Sequence, residues 1–203
     1  YSTTVEIFAT SAGGTLVGST TRCEDDDAVY TLTLSGETGE VVRWERSLTG
    51  VDQWITIDNI TTSLDYSDLA QTTHFRALVQ NGACAAVYSS MATIQIDELS
   101  EGGTLGGGTT VCNGTNSTTL ELSGYTGGVV EWQSSASSAG PWTPIVSTAT
   151  SMPFNNLTAT TYYRVIVQNG VCSSTPSSVA EIEVSPETLA GLVNGSAVVC
   201  YGT

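Results

Sequence analysis

The chain has 203 residues, with 20 acidic against five basic side chains and a formal net charge of −15; the five are all arginine. That balance excludes a phosphate-gripping nucleic-acid surface and a basic membrane-docking face, and the absence of lysine excludes Schiff-base and lysine-to-asparagine isopeptide chemistry. No run reaches the eighteen or so apolar residues of a membrane span.

The chain is one module written twice. Gly13-Gly14-Thr15-Leu16 returns as Gly102-Gly103-Thr104-Leu105, Trp44 as Trp132, and Val79-Gln80-Asn81-Gly82-Ala83-Cys84 as Val167-Gln168-Asn169-Gly170-Val171-Cys172. Cys112 lies 89 positions after Cys23 and Trp132 lies 88 after Trp44, so one single-residue indel separates the copies. A period this long defines beads in series, each large enough to bury its own core. The expected units are residues 11–98 and 99–187. Val5-Glu6-Ile7 matches Ile94-Gln95-Ile96 and Ile182-Glu183-Val184, so residues 1–10 are expected to be the last strand of a preceding repeat. Residues 188–203, which match the region from Gly102 to Cys112, are expected to open a following one.

Within a module the pattern is all-β. In the second copy Leu120 and Leu122 alternate on one face, as do Val130 and Trp132, then Tyr163, Val165 and Val167, then Ile182 and Val184. Asn169-Gly170 between two such runs marks a hairpin, because both residues tolerate positive φ. Adding strands near Gly108–Val111, Trp142–Val146 and Met152–Phe154 gives about seven, the number expected of an immunoglobulin-like or fibronectin III-like β-sandwich. Leu157 to Tyr163 has the spacing of a tyrosine corner, repeated with phenylalanine at Leu69 to Phe75. No segment has helical periodicity.

The Gly-Gly-Thr opening, Cys112-Asn113-Gly114-Thr115-Asn116-Ser117, Ser123-Gly124-Tyr125-Thr126-Gly127, Trp132-Gln133-Ser134-Ser135 and Tyr162-Tyr163-Arg164 leading to Cys172 together resemble a known family. It comprises the tandem immunoglobulin-like repeats of very large cell-surface proteins of gliding and related Bacteroidota, gliding-motility adhesins among them. The resemblance covers essentially the whole chain. It implies export by type IX secretion, display at the outer surface, and neighbours that include further repeats and the outer-membrane secretion or motility machinery.

The five cysteines fall on two module positions. Cys23 and Cys112 occupy the first, Cys84 and Cys172 the second, and Cys200 is a first-position cysteine whose partner would lie beyond this segment. The expected bridges are therefore Cys23 with Cys84 and Cys112 with Cys172, each tying the early edge of a module to its last hairpin and implying an oxidising compartment.

Other candidate sites are sparse. Glu24-Asp25-Asp26-Asp27 could offer carboxylates to a hard cation but lacks calcium-loop spacing, and a solvated loop is the alternative reading. His74 is the sole histidine and aligns with Tyr162 on an outward strand position. No carboxylate pair sits in an apolar setting, so neither catalysis nor a cofactor is expected. Arg76 with Leu78, and Arg164 with Ile166, repeat as an arginine-plus-aliphatic stripe that could contact a partner or could simply cover apolar area. The functional expectation is a structural stalk segment of a secreted cell-surface adhesin. The alternative is a glycan- or protein-binding module accessory to a secreted enzyme.

Overall fold

The computed structural model describes residues 6–189, 191–192, 194–196 and 201. Two β-sandwiches follow one another. In the first, β1 (Thr15–Val17), β3 (Tyr30–Ser35) and β6 (Ser63–Tyr66) form one antiparallel sheet in the order β1-β3-β6. The second sheet holds β2 (Thr20–Cys23), β4 (Glu40–Ser47), β5 (Ile55–Ile57), β7 (Thr73–Gln80) and β9 (Ala92–Asp97) in the order β2-β9-β7-β4-β5, with β8 (Val87–Tyr88) also on β7.

The second module repeats this arrangement. Its β10 (Thr104–Gly106), β12 (Ser117–Ser123) and β15 (Ser151–Asn155) form the small sheet. Its large sheet is β11 (Thr109–Cys112), β18 (Ala180–Ser185), β16 (Thr161–Gln168), β13 (Gly128–Ser135) and β14 (Thr143–Ile145), with β17 (Thr175–Pro176) on β16.

Each module thus has nine strands where about seven are expected, because the first and last strands are each broken in two. The first break carries the chain from one sheet to the other. At Gly18 (φ 116°) and Gly107 (φ 92°) the backbone turns beside the carbonyls of Thr31 and Thr119, where a β-carbon would collide with the carbonyl oxygen. The last strand breaks at Ser89-Ser90 and Ser177-Ser178. There the Ser89 and Ser177 hydroxyls accept the Ala77 and Val165 amides in place of a ladder carbonyl, and the Ser90 and Ser178 hydroxyls accept Leu16 and Leu105. This stitch joins the opening Gly-Gly-Thr segment to the end of the module, and the repeated Ser-Ser pair is its sequence signal.

The cores are the alternating faces. Leu32, Trp44, Phe75, Ala77, Val79, Ala92 and Ile94 are buried in the first, and Leu120, Trp132, Tyr163, Val165, Val167 and Ile182 in the second. Trp44 Nε1 donates to Thr61 O at 2.9 Å and Trp132 Nε1 to Ala149 O at 2.8 Å, which satisfies each indole while its ring is fully enclosed. Leu157 packs against the same core as Tyr163, whose ring lies 4.0 Å from that of Phe154.

One core assignment changes. Val130 is exposed, because the register of β13 against β16 slips between Val129 and Glu131, and Val129 takes the inward position beside Trp132. The first module has the same bulge between Val41 and Arg43, leaving Val42 outside.

Residues Glu6–Thr10 form no strand, and Ile7 is 93% exposed. The expected strand would pair with the sheet of its own module, which none of the described residues supplies, and residues 1–5 of it lie outside the described ones. Half of residues 188–203, Cys200 among them, lie outside the described residues, and the other half form no strand.

Candidate functional site: a disulfide-pinned junction

The structure joins Cys23 to Cys172, with their Cα atoms 4.8 Å apart, and leaves Cys84 and Cys112 as thiols. The expected pairings within each module are therefore corrected: the bridge runs between modules. Strand direction supplies the reason. β2 runs parallel to β9 and places Cys23 opposite Asp97, at the pole where the chain leaves the module. β7 runs antiparallel to β9 and delivers Cys84 to the other pole, about 30 Å away at strand rise, against the roughly 4–7 Å between Cα atoms that a disulfide spans. In the second module Cys172 occupies the entry pole, and there it meets Cys23 of the first. The joined elements are those expected, an early edge strand and a last hairpin, but they belong to consecutive modules.

Around the bridge the connector docks on the hairpin. Asn169 N donates to Ser100 Oγ at 2.8 Å, Asn169 Nδ2 to Glu98 O at 2.9 Å, and Val171 N to Asp97 Oδ2 at 3.1 Å. Gly170, at φ 49°, has no side chain to displace the Asp97 carboxylate, and Gln95 Nε2 donates to the other oxygen of that carboxylate at 3.0 Å. Ser100 is buried. The Asn-Gly dipeptide thus serves both the turn and the junction. In the chain-entropy picture, a bridge closing 149 residues contributes about 5 kcal/mol against the unfolded chain.

The outer face of the large sheet carries the second cluster. Glu45, almost fully buried, accepts Arg43 Nε and Arg76 Nε at 2.8 Å each, and the terminal nitrogens of both arginines lie 2.7 Å from its oxygens. The Arg76 guanidinium is sandwiched between Trp54 at 3.8 Å and Tyr88 at 3.7 Å. In the second module Arg164 Nε donates to Gln133 Oε1 at 2.7 Å and lies 4.3 Å from the Trp142 ring. Leu78 and Ile166 are half-buried. The stripe of Arg76, Leu78, Arg164 and Ile166 is therefore largely engaged within its own sheet.

Burial pushes the Glu45 carboxyl up, but hydrogen bonds and charge from Arg76 and Arg43 more than offset this and hold it below the usual carboxylate range. A depressed folded pKa contributes stability that is present above the unfolded value, near 4.3, and is lost as pH falls through the folded one. Gln133 occupies the same place without titrating. Replacing Glu45→Gln should remove this carboxylate's share of the first module's acid destabilisation, which sets in as pH falls below about 5, and leave the share of Asp26 and the second module's transition unchanged. Equal acid midpoints for variant and parent would refute this role for Glu45.

The acidic run is partly spoken for. Asp26 pairs with buried Arg22 at 2.9 Å and accepts the Tyr30 hydroxyl and the Ala28 amide, while the Arg22 guanidinium stacks 3.8 Å from the Tyr30 ring. The hydrogen bond from Arg22, then that from Ala28, hold the Asp26 carboxyl below its ordinary value. Glu24, Asp25 and Asp27 are exposed, and among the described residues no three acidic, histidine or cysteine side chains converge on one point. His74 Nδ1 lies 2.9 Å from the Thr93 hydroxyl.

An open groove of about 500 Å³ at the exit pole of the first module is lined by Arg46, Leu48, Trp54, Ile55, Leu69 and Gln71. The same place in the second module is lined by small residues, among them Ser134, Ala136 and Thr143. No helix among the described residues is long and apolar enough to cross a membrane.

These features define a tandem array of immunoglobulin-like, fibronectin III-like β-sandwiches. Residues 12–98 and 101–186 each match the family described as a domain of unknown function, DUF8696, and the chain belongs to that family. No curated protein matches it. Among solved structures it is similar to a marsupial T cell receptor at 14% identity and TM-score 0.54, covering 87% of this chain and 74% of that one. It is also similar to a chain of the mouse coronavirus receptor-binding domain complexed with its murine receptor, at 10% identity and TM-score 0.50, covering 81% and 96%. A third likeness, to the chicken CNTN1 FN1-FN3 domains, has 15% identity and TM-score 0.38 and covers 88% and 67%. For the first two, identities this low speak to fold alone.

Proposed function

We propose that this chain is a structural stalk segment of a secreted cell-surface adhesin, of the type exported by type IX secretion in gliding Bacteroidota, and that it is a spacer and not an enzyme. The observation that carries the reading is the Cys23–Cys172 bridge across the junction. A bridge between modules adds nothing to either core, but it limits how one sandwich can swing on the next. A stalk needs that property and an isolated binding domain does not. The short connector, docked by Asp97, Glu98 and Ser100, acts in the same direction. The acidic surface, with its net charge of −15, suits a long exposed polymer that must repel its own copies.

A binding reading rests on the Trp54 groove, where an aromatic face, an arginine and a glutamine share one concave surface. That the second module lacks this lining supports a spacer over a distributed binding array.

Small-angle scattering on the oxidised chain and on Cys23→Ser tests the proposal. The oxidised chain should fit one inter-module arrangement and the variant should need a broader ensemble. Equal breadth in both, or glycan-array binding abolished by Trp54→Ala, would overturn the spacer reading.

A further inference from the structure

The two thiols are not idle leftovers. Cys112 stands opposite Ser185 in the parallel β11–β18 pair as Cys23 stands opposite Asp97 in β2–β9. The ladder continues one step past each cysteine in the same way, Asn113 N donating to Ser185 O at 3.0 Å and Glu24 N to Asp97 O at 2.9 Å. At the opposite pole, Asn81 N donates to Ser11 Oγ and Asn81 Nδ2 to Ala9 O, both at 2.9 Å, reproducing the contacts of Asn169 with Ser100 and Glu98. Cys84 Sγ lies 3.4 Å from Ala9 O, and Cys172 Sγ lies 3.2 Å from Glu98 O. The segment from Phe8 to Ser11 is thus already seated on its hairpin as a connector is. Cys112 is exposed and Cys84 half-exposed, each at a pole facing away from the junction described.

We infer that the Cys23–Cys172 bridge is one instance of a staple repeated at every junction between such modules, and that Cys84 and Cys112 are its two half-sites. Cys84 receives the first-position cysteine of a preceding module, and Cys112 the second-position cysteine of a following one. In each event two thiols lose two protons and two electrons to a dithiol–disulfide oxidant, and one S–S bond forms. Each module then carries two bridges, one to each neighbour and none to itself, so the array is cross-linked module by module. This rests on the reading of the chain as part of a tandem array.

The test duplicates the second module within the full chain, inserting a further copy of residues 99–187 between Glu187 and Thr188. Cys200→Ser is included, and the inserted copy is marked at two exposed sites, Thr109→Ser beside its Cys112 and Val171→Leu beside its Cys172. Peptide mapping of the oxidised protein without reduction should find Cys23 joined to the first copy's Cys172 and that copy's Cys112 joined to the inserted copy's Cys172. Cys84 and the inserted copy's Cys112 should remain as the two titratable thiols. Four thiols, or Cys112 joined to the Cys172 of its own copy or to Cys84, would overturn the inference. Absence of the Cys23–Cys172 bridge from the unmodified chain would instead strike the stalk reading itself.

Discussion

Pulled by its two ends, the oxidised protein should lengthen far less than its residue count allows, and reduction should make about 500 Å of additional extension available as the two modules unfold. Force entering at the first residues passes along β1 and β2 to Cys23, crosses to Cys172, and leaves through β17 and β18. The intervening segment, with a sequence separation of 149, is shielded from tension, and a fully extended chain spans about 3.4 Å per residue. Bridges within each module would hide about sixty residues apiece and release roughly 200 Å in each of two steps. Single-molecule force spectroscopy before and after reductant separates these outcomes. Cys23→Ser should by itself free the full length of about 500 Å without reductant, and a gain of only about 200 Å from that variant would refute the junctional bridge. The consequence for a stalk is mechanical: load enters each sandwich only through its first or last strands, and the strands between Cys23 and Cys172 are spared it.

The second large effect is in the cores. Trp132→Ala should destabilise the second module by about 3–5 kcal/mol, a fall of roughly 15–30 °C in its melting temperature. The ring is fully buried between the sheets, and its loss also leaves Ala149 O without the indole donor. In reduced protein, where the modules are covalently joined only by the connector, the first module's transition should stay in place, and Trp44→Ala should reverse the pattern. Calorimetry resolves the two transitions. A common shift of both would show a shared folding unit and contradict the separate cores.

Much of this molecule is legible along the chain because repetition and alternation are local properties. The paired tryptophans, the Leu120 and Leu122 face and the Tyr163 to Val167 face need only a period of two to be assigned inward. The all-β sandwich follows from them. Where one residue is inserted the same logic fails. The bulge at Val129 to Glu131 turns Val130 outward, because alternation carries no record of a slipped register. The Glu45 cluster was equally hidden, since Arg43, Glu45 and Arg76 converge only once β4 and β7 are paired.

The cysteines mark the boundary between the two kinds of information. Sequence by itself determined that there are two cysteine positions per module, one on an early strand and one after the Asn-Gly turn. Which sulfur meets which was decided by strand direction, since β2 runs parallel to β9 and β7 antiparallel to it, setting the two positions at opposite ends of a rigid sandwich. Spacing along a chain measures separation but not direction. Only the folded sheet turns an apparent clasp within a module into a link between neighbours.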